Sequence, residues 1–312
     1  MIRFPANSKE LTLKEIISKL HCKYKILGNL NNIVIDNTSN IQSANENSLV
    51  FINDSRIDKL ELLNLTKARA IICNIEDLDT IKNDKCLIIV ENPKVIFANI
   101  VNNIFQQYKS YQIHSSSIIH SEAQLHENIS IGPFCVIGNC IIEEGVEIQN
   151  NVCIHDNVHI GKNVKIQSGC IIGFEGFDHI LDENGKYVEN FPQLGGVVIE
   201  ENVVIGSNTC IQRGTLGDTV IKKNCLIDNM ITIAHNVVIN ENSMISGHSH
   251  VGGSVVVGKS AFIGQSVSIA NVGYIGEKSK IGIGSTVIRS VSDGESVFGN
   301  PAKKINSPLT NI

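Results

Sequence analysis

Branched aliphatic residues recur at every sixth position along the second half of the chain: Ile221, Ile227, Ile233, Ile239, Ile245, Val251, Val257, Ile263, Ile269, Ile275, Ile281 and Val287. The same period starts at Ile113, Ile119, Leu125, Ile131 and Ile137, and resumes after a one-residue deletion from Ile142 to Ile172. It returns after an insertion at Ile199, Ile205 and Ile211. A period of six is neither that of a helix nor that of a simple strand, so it predicts a repeat architecture. Four positions after each aliphatic stands a small or β-branched residue, as at Val146, Val152, Val203 and Ala261. One position before that, Gly or Asn recurs, as at Gly145, Asn151, Asn157, Asn202, Asn236 and Asn242. The aliphatic points inward, the small residue fits where walls meet, and Gly or Asn tolerates a positive-φ corner. Three hexads then close one triangular coil, stacked on the next by strand hydrogen bonds at about 4.8 Å. The expectation is a mainly β chain, a parallel β-helix over residues 113–292.

Residues 1–112 lack this period. Apolar positions Leu11, Leu13, Ile16, Ile17 and Leu20 predict a helix from Ser8 to Leu20. Strand-like runs follow at Ile33–Ile35, Ser48–Ile52, Ala70–Cys73 and Cys86–Val90, and Asn92-Pro93 opens a helix from Lys94 to about Tyr108. This is a small α/β domain with a helical linker; residues 293–312 are left as a short tail.

Composition narrows the classes. With a net charge of −5 and no basic run, nothing suggests nucleic-acid binding. No apolar segment is long enough to span a bilayer, and the start at Met1 to Pro5 has no signal-peptide apolar region, so a cytoplasmic protein is expected. Nine cysteines without a C-x-x-C pair are expected to be free, with Cys135, Cys170 and Cys225 in the small-residue slot.

The coil also decides which side chains can meet. His114, His120 and His126 are evenly spaced, but successive hexads lie on different faces, so they point apart. His155 returns to the His120 face two coils away, at about 10 Å, beyond metal-ligand reach. No metal is expected. Two insertions interrupt the period: residues 173–196, with Phe174, Phe177, Tyr187 and Phe191, and four extra residues within Gln212 to Thr219. A long excursion from a solenoid is usually functional or disordered, and these aromatics favour an ordered loop. Coil arithmetic puts Arg213 and the second insertion one coil below His235, Gly253 one coil above and Asn271 two above. A histidine between a polar loop and a glycine is the candidate site.

The repeat resembles the hexapeptide-repeat acyltransferases, whose left-handed β-helix packs as a homotrimer. Three stretches narrow the resemblance. Residues 173–177, reading Gly-Phe-Glu-Gly-Phe, and 191–196, reading Phe-Pro-Gln-Leu-Gly-Gly, resemble the protruding loop of the UDP-3-O-(3-hydroxyacyl)glucosamine N-acyltransferases of lipid A synthesis, the LpxD family. Residues 212–219, Gln-Arg-Gly-Thr-Leu-Gly-Asp-Thr, are similar to that family's Asp-Arg-Gly-Ala-Leu-Asp-Asp-Thr. Residues 227–239 are similar to the segment carrying its catalytic histidine. The likeness is good over residues 113–285 and loose over the N-terminal domain.

The resemblance implies that His235 is the general base for a sugar amine and the Gly253 N–H the oxyanion donor; an imidazole suits proton transfer near neutral pH. It makes Asp228 and Asn229 sugar-binding or histidine-orienting residues, and Phe174, Phe177 and Gln193 loop contacts; Arg213, Asp218 and Asn271 join the substrate-binding candidates. The uracil-sandwiching frame Phe-x-x-Asn-x-x-Tyr reads Val50, Asn53, Arg56 here: Asn53 survives and both aromatics are gone. The family's second histidine falls on Val272, and its C-terminal helical extension is replaced by Val297 to Ile305, which resembles the tail of sugar acetyltransferases using acyl-coenzyme A.

Together these imply an N-acyltransferase acting on a nucleotide-linked amino sugar for surface polysaccharide such as O-antigen, with a short acyl-CoA (acetyl or short 3-hydroxyacyl) as donor. The alternative is the lipopolysaccharide (lipid A) enzyme itself, with acyl carrier protein as donor. A non-catalytic repeat scaffold is the third possibility.

Overall fold

The computed structural model describes residues 2–3, 11–20, 22–53, 55–75, 84–104, 112–271 and 273–304. The chain divides into two compact units, Met1–Lys109 and Ser110–Ile312. Among the described residues, no helix is long and apolar enough to cross a membrane.

In the second unit the six-residue period becomes two-residue strands separated by tight corners. They stack into three sheets of 8, 10 and 9 strands among the described residues, parallel throughout except for the last strand of the ten, a left-handed parallel β-helix. Registers pair aliphatic with aliphatic from coil to coil: Ile211 with Ile233, Ile233 with Val251, Val251 with Ile269 and Ile269 with Val287. These side chains fill the prism; Ile211, Ile233, Val251 and Ile269 are wholly buried. Corner residues Asn151, Asn157, Asn163, Asn202, Asn208, Asn224, Asn236 and Asn242 all have positive φ, the left-handed conformation that asparagine tolerates. Where the period lost one residue, the corner Gly138 to Cys140 is shorter, yet Ile137 still pairs with Ile154 and Ile142 with Ile160.

The segment from 293 onward is not set apart as a tail. Ser296–Phe298 pairs in parallel with Lys280–Ile281, and Lys303–Lys304 turns back antiparallel on Val297 and Phe298. Residues 305–312 lie outside the described residues.

The first unit is a six-stranded sheet in which Asn37–Thr38, Ser48–Ile52, Ala70–Cys73 and Cys86–Ile89 run parallel, with Lys25–Leu27 and Ile2–Arg3 antiparallel at its edges. The expected first helix is shorter. Leu11–Thr12 is a strand, and the helix spans Leu13–Ser18 because Thr12 and Glu15 form a capping box. Ser8 to Glu10 lie outside the described residues. Pro93–Ile104 is the last helix, and 105–108 again lie outside. The sequence pattern missed helix Lys59–Leu65 and strand Lys25–Leu27.

Candidate active site

Both insertions leave the β-helix at the same corner, on successive coils. Strand Ile171–Phe174 runs out into residues 175–196, and strand Cys210–Gln212 into the corner 213–218. One coil higher, that corner is Ala234 to Val237. By register Arg213 lies beneath His235, Gly253 above it and Asn271 above that.

Residues 175–196 form an arm. His179–Leu181 and Tyr187–Asn190 pair as an antiparallel hairpin, turned by Asp182, whose carboxylate accepts from the N–H groups of Asn184 and Lys186 at 2.9 Å each. Phe177, His179 and Tyr187 stack edge to face, with centroids 4.0 and 5.5 Å apart. The limbs are fastened below His235. Arg213 donates through Nε to Gly173 O (2.7 Å) and through Nη2 to Asp156 O (2.6 Å), and its N–H donates to Phe174 O. On the return limb, Asp218 Oδ1 accepts from Gly196 N at 2.7 Å, and Leu194 N donates to Thr215 O at 2.6 Å. A side chain at Gly195 would collide with Gly217 O, so only glycine lets this limb lie flat on the second insertion. In this chain Arg213 and Asp218 therefore hold the arm.

His235 is half-buried with a defined tautomer. Asn236 Nδ2 donates to Gly217 O at 2.9 Å, which fixes the amide orientation. Asn236 Oδ1 then accepts from Thr215 N (3.0 Å) and Thr215 Oγ1 (2.8 Å), and lies 3.1 Å from His235 Nδ1. An amide oxygen can only accept, so the network assigns a proton to Nδ1, and in the neutral ring the lone pair is then on Nε2. The His235 N–H donates to Gln212 Oε1 at 3.1 Å. The sequence pattern does not single out Gln212 or Asn236 for these roles; by its spacing Asn236 is a corner residue like the others.

Nε2 faces Gly253. A Cβ there would lie 2.6 Å from it. Gly253 is buried, and among the described residues its N–H has no acceptor. From below, the arm brings Gly176 to the ring: a Cβ on Gly176 would sit 3.4 Å from His235 Cδ2 and 3.3 Å from both Gln193 Oε1 and Gln212 Oε1. Asn271 Oδ1 occupies the space over Gly252.

Other candidates lie elsewhere. Asp228 and Asn229 are on the preceding corner of the prism, where Asp228 Oδ2 accepts from Gly247 N (3.0 Å) and Asn229 Oδ1 from Ser207 N (2.7 Å). In a single chain they belong to a different corner from His235. Phe174 is half-buried at the arm's base, whereas Phe177 is 85% exposed. Asn53 follows strand Ser48–Ile52 in the first unit; Val50 is a core residue there, and Arg56 pairs with Asp58 at 2.7 Å. Val272 lies outside the described residues. Among the described residues, no three His, Cys, Asp or Glu side chains are grouped to hold a metal ion.

Residues 32–102 match the family model described as UDP-3-O-(3-hydroxymyristoyl) glucosamine N-acyltransferase, LpxD, and residues 139–173 the model for bacterial transferase hexapeptide (six repeats). The family-specific match thus falls in the first unit, which the sequence tied to that family only loosely. The chain is 32% identical over 227 residues to a UDP-3-O-acylglucosamine N-acyltransferase of Hydrogenovibrio crunogenus, covering 66% of this chain and 63% of that protein. It is 56% identical over 72 residues to one of Idiomarina loihiensis, covering 23% of this chain and 20% of the relative. These matches span less than two thirds of the relatives' length. Among solved structures, LpxA, a UDP-N-acetylglucosamine acyltransferase from Bacteroides fragilis, superposes with a TM-score of 0.56 at 23% identity, over 62% of this chain and 74% of that one. The corresponding Campylobacter jejuni structure gives 0.55 at 23%, with the same coverage; at such identity the likeness is one of fold. The chain resembles the LpxD acyltransferases in its first unit and the hexapeptide-repeat transferases in its second.

Proposed function

We propose that the chain is an N-acyltransferase that moves an acyl group from a thioester to the amine of a nucleotide-linked amino sugar. The observation that carries this is the juxtaposition of His235 Nε2 with buried Gly253 one coil above, both the ring nitrogen and the Gly253 N–H being without a hydrogen-bond partner among the described residues. His235 takes a proton from the attacking amine, while the Gly253 N–H meets the negative charge that develops on the thioester oxygen. Asn236 keeps the imidazole in the tautomer this requires, a role like that of the third member of a triad.

The relatives' names favour UDP-3-O-acylglucosamine as acceptor, ahead of an amino sugar for another surface polysaccharide. They also move the balance toward the lipid A alternative, with its acyl carrier protein donor, and away from a short acyl-CoA. One feature supports a long acyl chain. The outer face of the sheet that follows the His235 corner carries Val198, Val220, Val238, Val256 and Tyr274 in one column. Four coil steps span about 19 Å, room for a fatty chain rather than an acetyl group. A second outer column, Leu226, Met244 and Phe262, supports packing into a homotrimer. Cytoplasmic location belongs to the same proposal.

The test is purified protein with UDP-3-O-acylglucosamine and 3-hydroxyacyl thioesters of increasing length, on acyl carrier protein and on coenzyme A. Thiol release that grows with chain length and favours the carrier protein is expected. Release only with acetyl-CoA restores the short-chain reading. No release from any pair, with His235→Ala leaving sugar binding unchanged, identifies a scaffold.

A further inference from the structure

Among the described residues, one buried acceptor near His235 has no donor. Gln193 is 7% exposed. Its Nε2 donates to Phe191 O at 3.3 Å, which sets the amide orientation, and its Oε1 has no hydrogen-bond partner. An unpaired buried carbonyl is costly, and a native fold that retains one calls for an explanation.

Its surroundings supply one. The place a Cβ on Gly176 would take is 3.3 Å from Gln193 Oε1, 3.3 Å from Gln212 Oε1 and 3.4 Å from His235 Cδ2. Two carboxamide oxygens thus converge beside the imidazole with only a glycine between them. The limb carrying Gln193 is held by the bonds from Leu194, Gly195 and Gly196 to the second insertion, and the Gln193 side chain by its bond to Phe191 O.

The nucleophile decides how many acceptors a site needs. A hydroxyl brings one hydrogen, which the base takes. An amine brings two: the N–C bond forms, the C–S bond breaks, one proton passes through the histidine to the departing sulfur, and the other stays on the product amide. During attack the nitrogen becomes cationic, and its second N–H seeks an acceptor at the same moment as the first. Asn236 Oδ1 is already taken by Thr215 and by the ring itself.

We propose that Gln193 Oε1, with Gln212 Oε1 beside it, accepts the second N–H of the attacking amine and so selects nitrogen over oxygen nucleophiles. This rests on the reading of His235 as the base of an acyl transfer. Gly176 lies between the two oxygens and, having no side chain, adds no bulk there.

The experiment compares the full chain with Gln193→Leu, which keeps the volume and removes the acceptor, and Gln193→Glu, which keeps acceptor oxygens. The acceptors are UDP-3-O-acylglucosamine and its 2-hydroxy counterpart, UDP-3-O-acylglucose. Gln193→Leu is expected to lower kcat for the amine about 100-fold, to weaken amine binding a few-fold, and to leave the hydroxyl acceptor unaffected. Its thermal midpoint is expected to hold or rise, because an unpaired buried oxygen is gone, and Gln193→Glu retains the amine preference. An equal loss on both acceptors, or a lowered midpoint accounting for the loss, overturns the proposal. Calorimetry of both acceptors without donor separates the two levels. Should the unmodified chain turn over neither acceptor while Gln193→Leu erases a binding preference for the amine, acyl transfer fails and the acceptor role stands. Normal turnover with the preference intact in Gln193→Leu overturns the acceptor role alone; neither turnover nor a binding preference overturns both.

Discussion

His235 Nε2 and Gly253 are in such close contact that a methyl group on the glycine would lie 2.6 Å from the nitrogen. The residue one coil above the histidine must therefore be glycine for reasons of space, apart from any role of its N–H. Gly253→Ala is expected to displace the imidazole and lower kcat about 100-fold or more. The thermal midpoint should move by no more than about 5 °C, since a surface ring can swing aside. Full activity in this variant would refute the arrangement.

Replacing His235 itself tests the base. His235→Asn should reduce turnover by about 100- to 10,000-fold while acceptor KM stays within a few-fold. Steady-state kinetics with a saturating thioester measures both.

Arg213 predicts a different phenotype. Its guanidinium is spent on Gly173 O and Asp156 O, so Arg213→Met should cost about 2 kcal/mol and loosen the arm. Hydrogen exchange should rise across residues 175–196 and leave the strands above His235 unchanged. A loss of sugar affinity without faster exchange would return Arg213 to the substrate contacts.

Core positions separate stability from activity. Ile142→Ala and Ile233→Ala each remove a fully packed side chain, at 1% and 0% exposure, and each should cost about 2–5 kcal/mol. Coils contact only their neighbours, so the damage stays local. Activity at a temperature where both variants are folded should fall for Ile233→Ala, whose strand leads into the histidine corner, and persist for Ile142→Ala.

The cysteines carry a pH signature. All nine are free thiols, and burial pushes Cys86, Cys140, Cys170 and Cys225 up to about 11. A thiol raised in the folded state favours folding at pH values below its unfolded value near 9. That contribution is lost as pH rises through about 11. Denaturant midpoints should therefore fall between pH 9 and 11, and these thiols should resist alkylation at pH 8 until the chain unfolds. A flat profile would contradict the burial.

Much of the second unit was legible because each residue there repeats its neighbour's task. Ile233 faces inward for the same reason as Ile227 and Ile239, and counting by coils was enough to stack Arg213, His235, Gly253 and Asn271. Side-chain roles were less accessible. Nothing in the spacing says that Arg213 bonds to carbonyls of other coils, or that Asn236 sets a tautomer, because the first depends on the backbone at Gly173 and Asp156 and the second on atoms of the second insertion. Asp228 and Asn229 stand in the motif that contains His235, yet six residues in this fold is one whole face of the prism, so within one chain the two lie on the preceding corner, which their nearness in sequence does not reveal. The first unit has no period to count. There Thr12 and Glu15 ended a strand and began a helix where the apolar stripe alone suggested continuous helix.

The arm leaves and rejoins the β-helix between Ile172 and Ile199 without disturbing the pairing of either, since Ile172 meets Ile211 and Ile199 meets Ile221. It behaves as a cassette, fastened by a few backbone bonds and by the Arg213 and Asp218 side chains. Its length and tip can change while the histidine corner and the solenoid stay as they are.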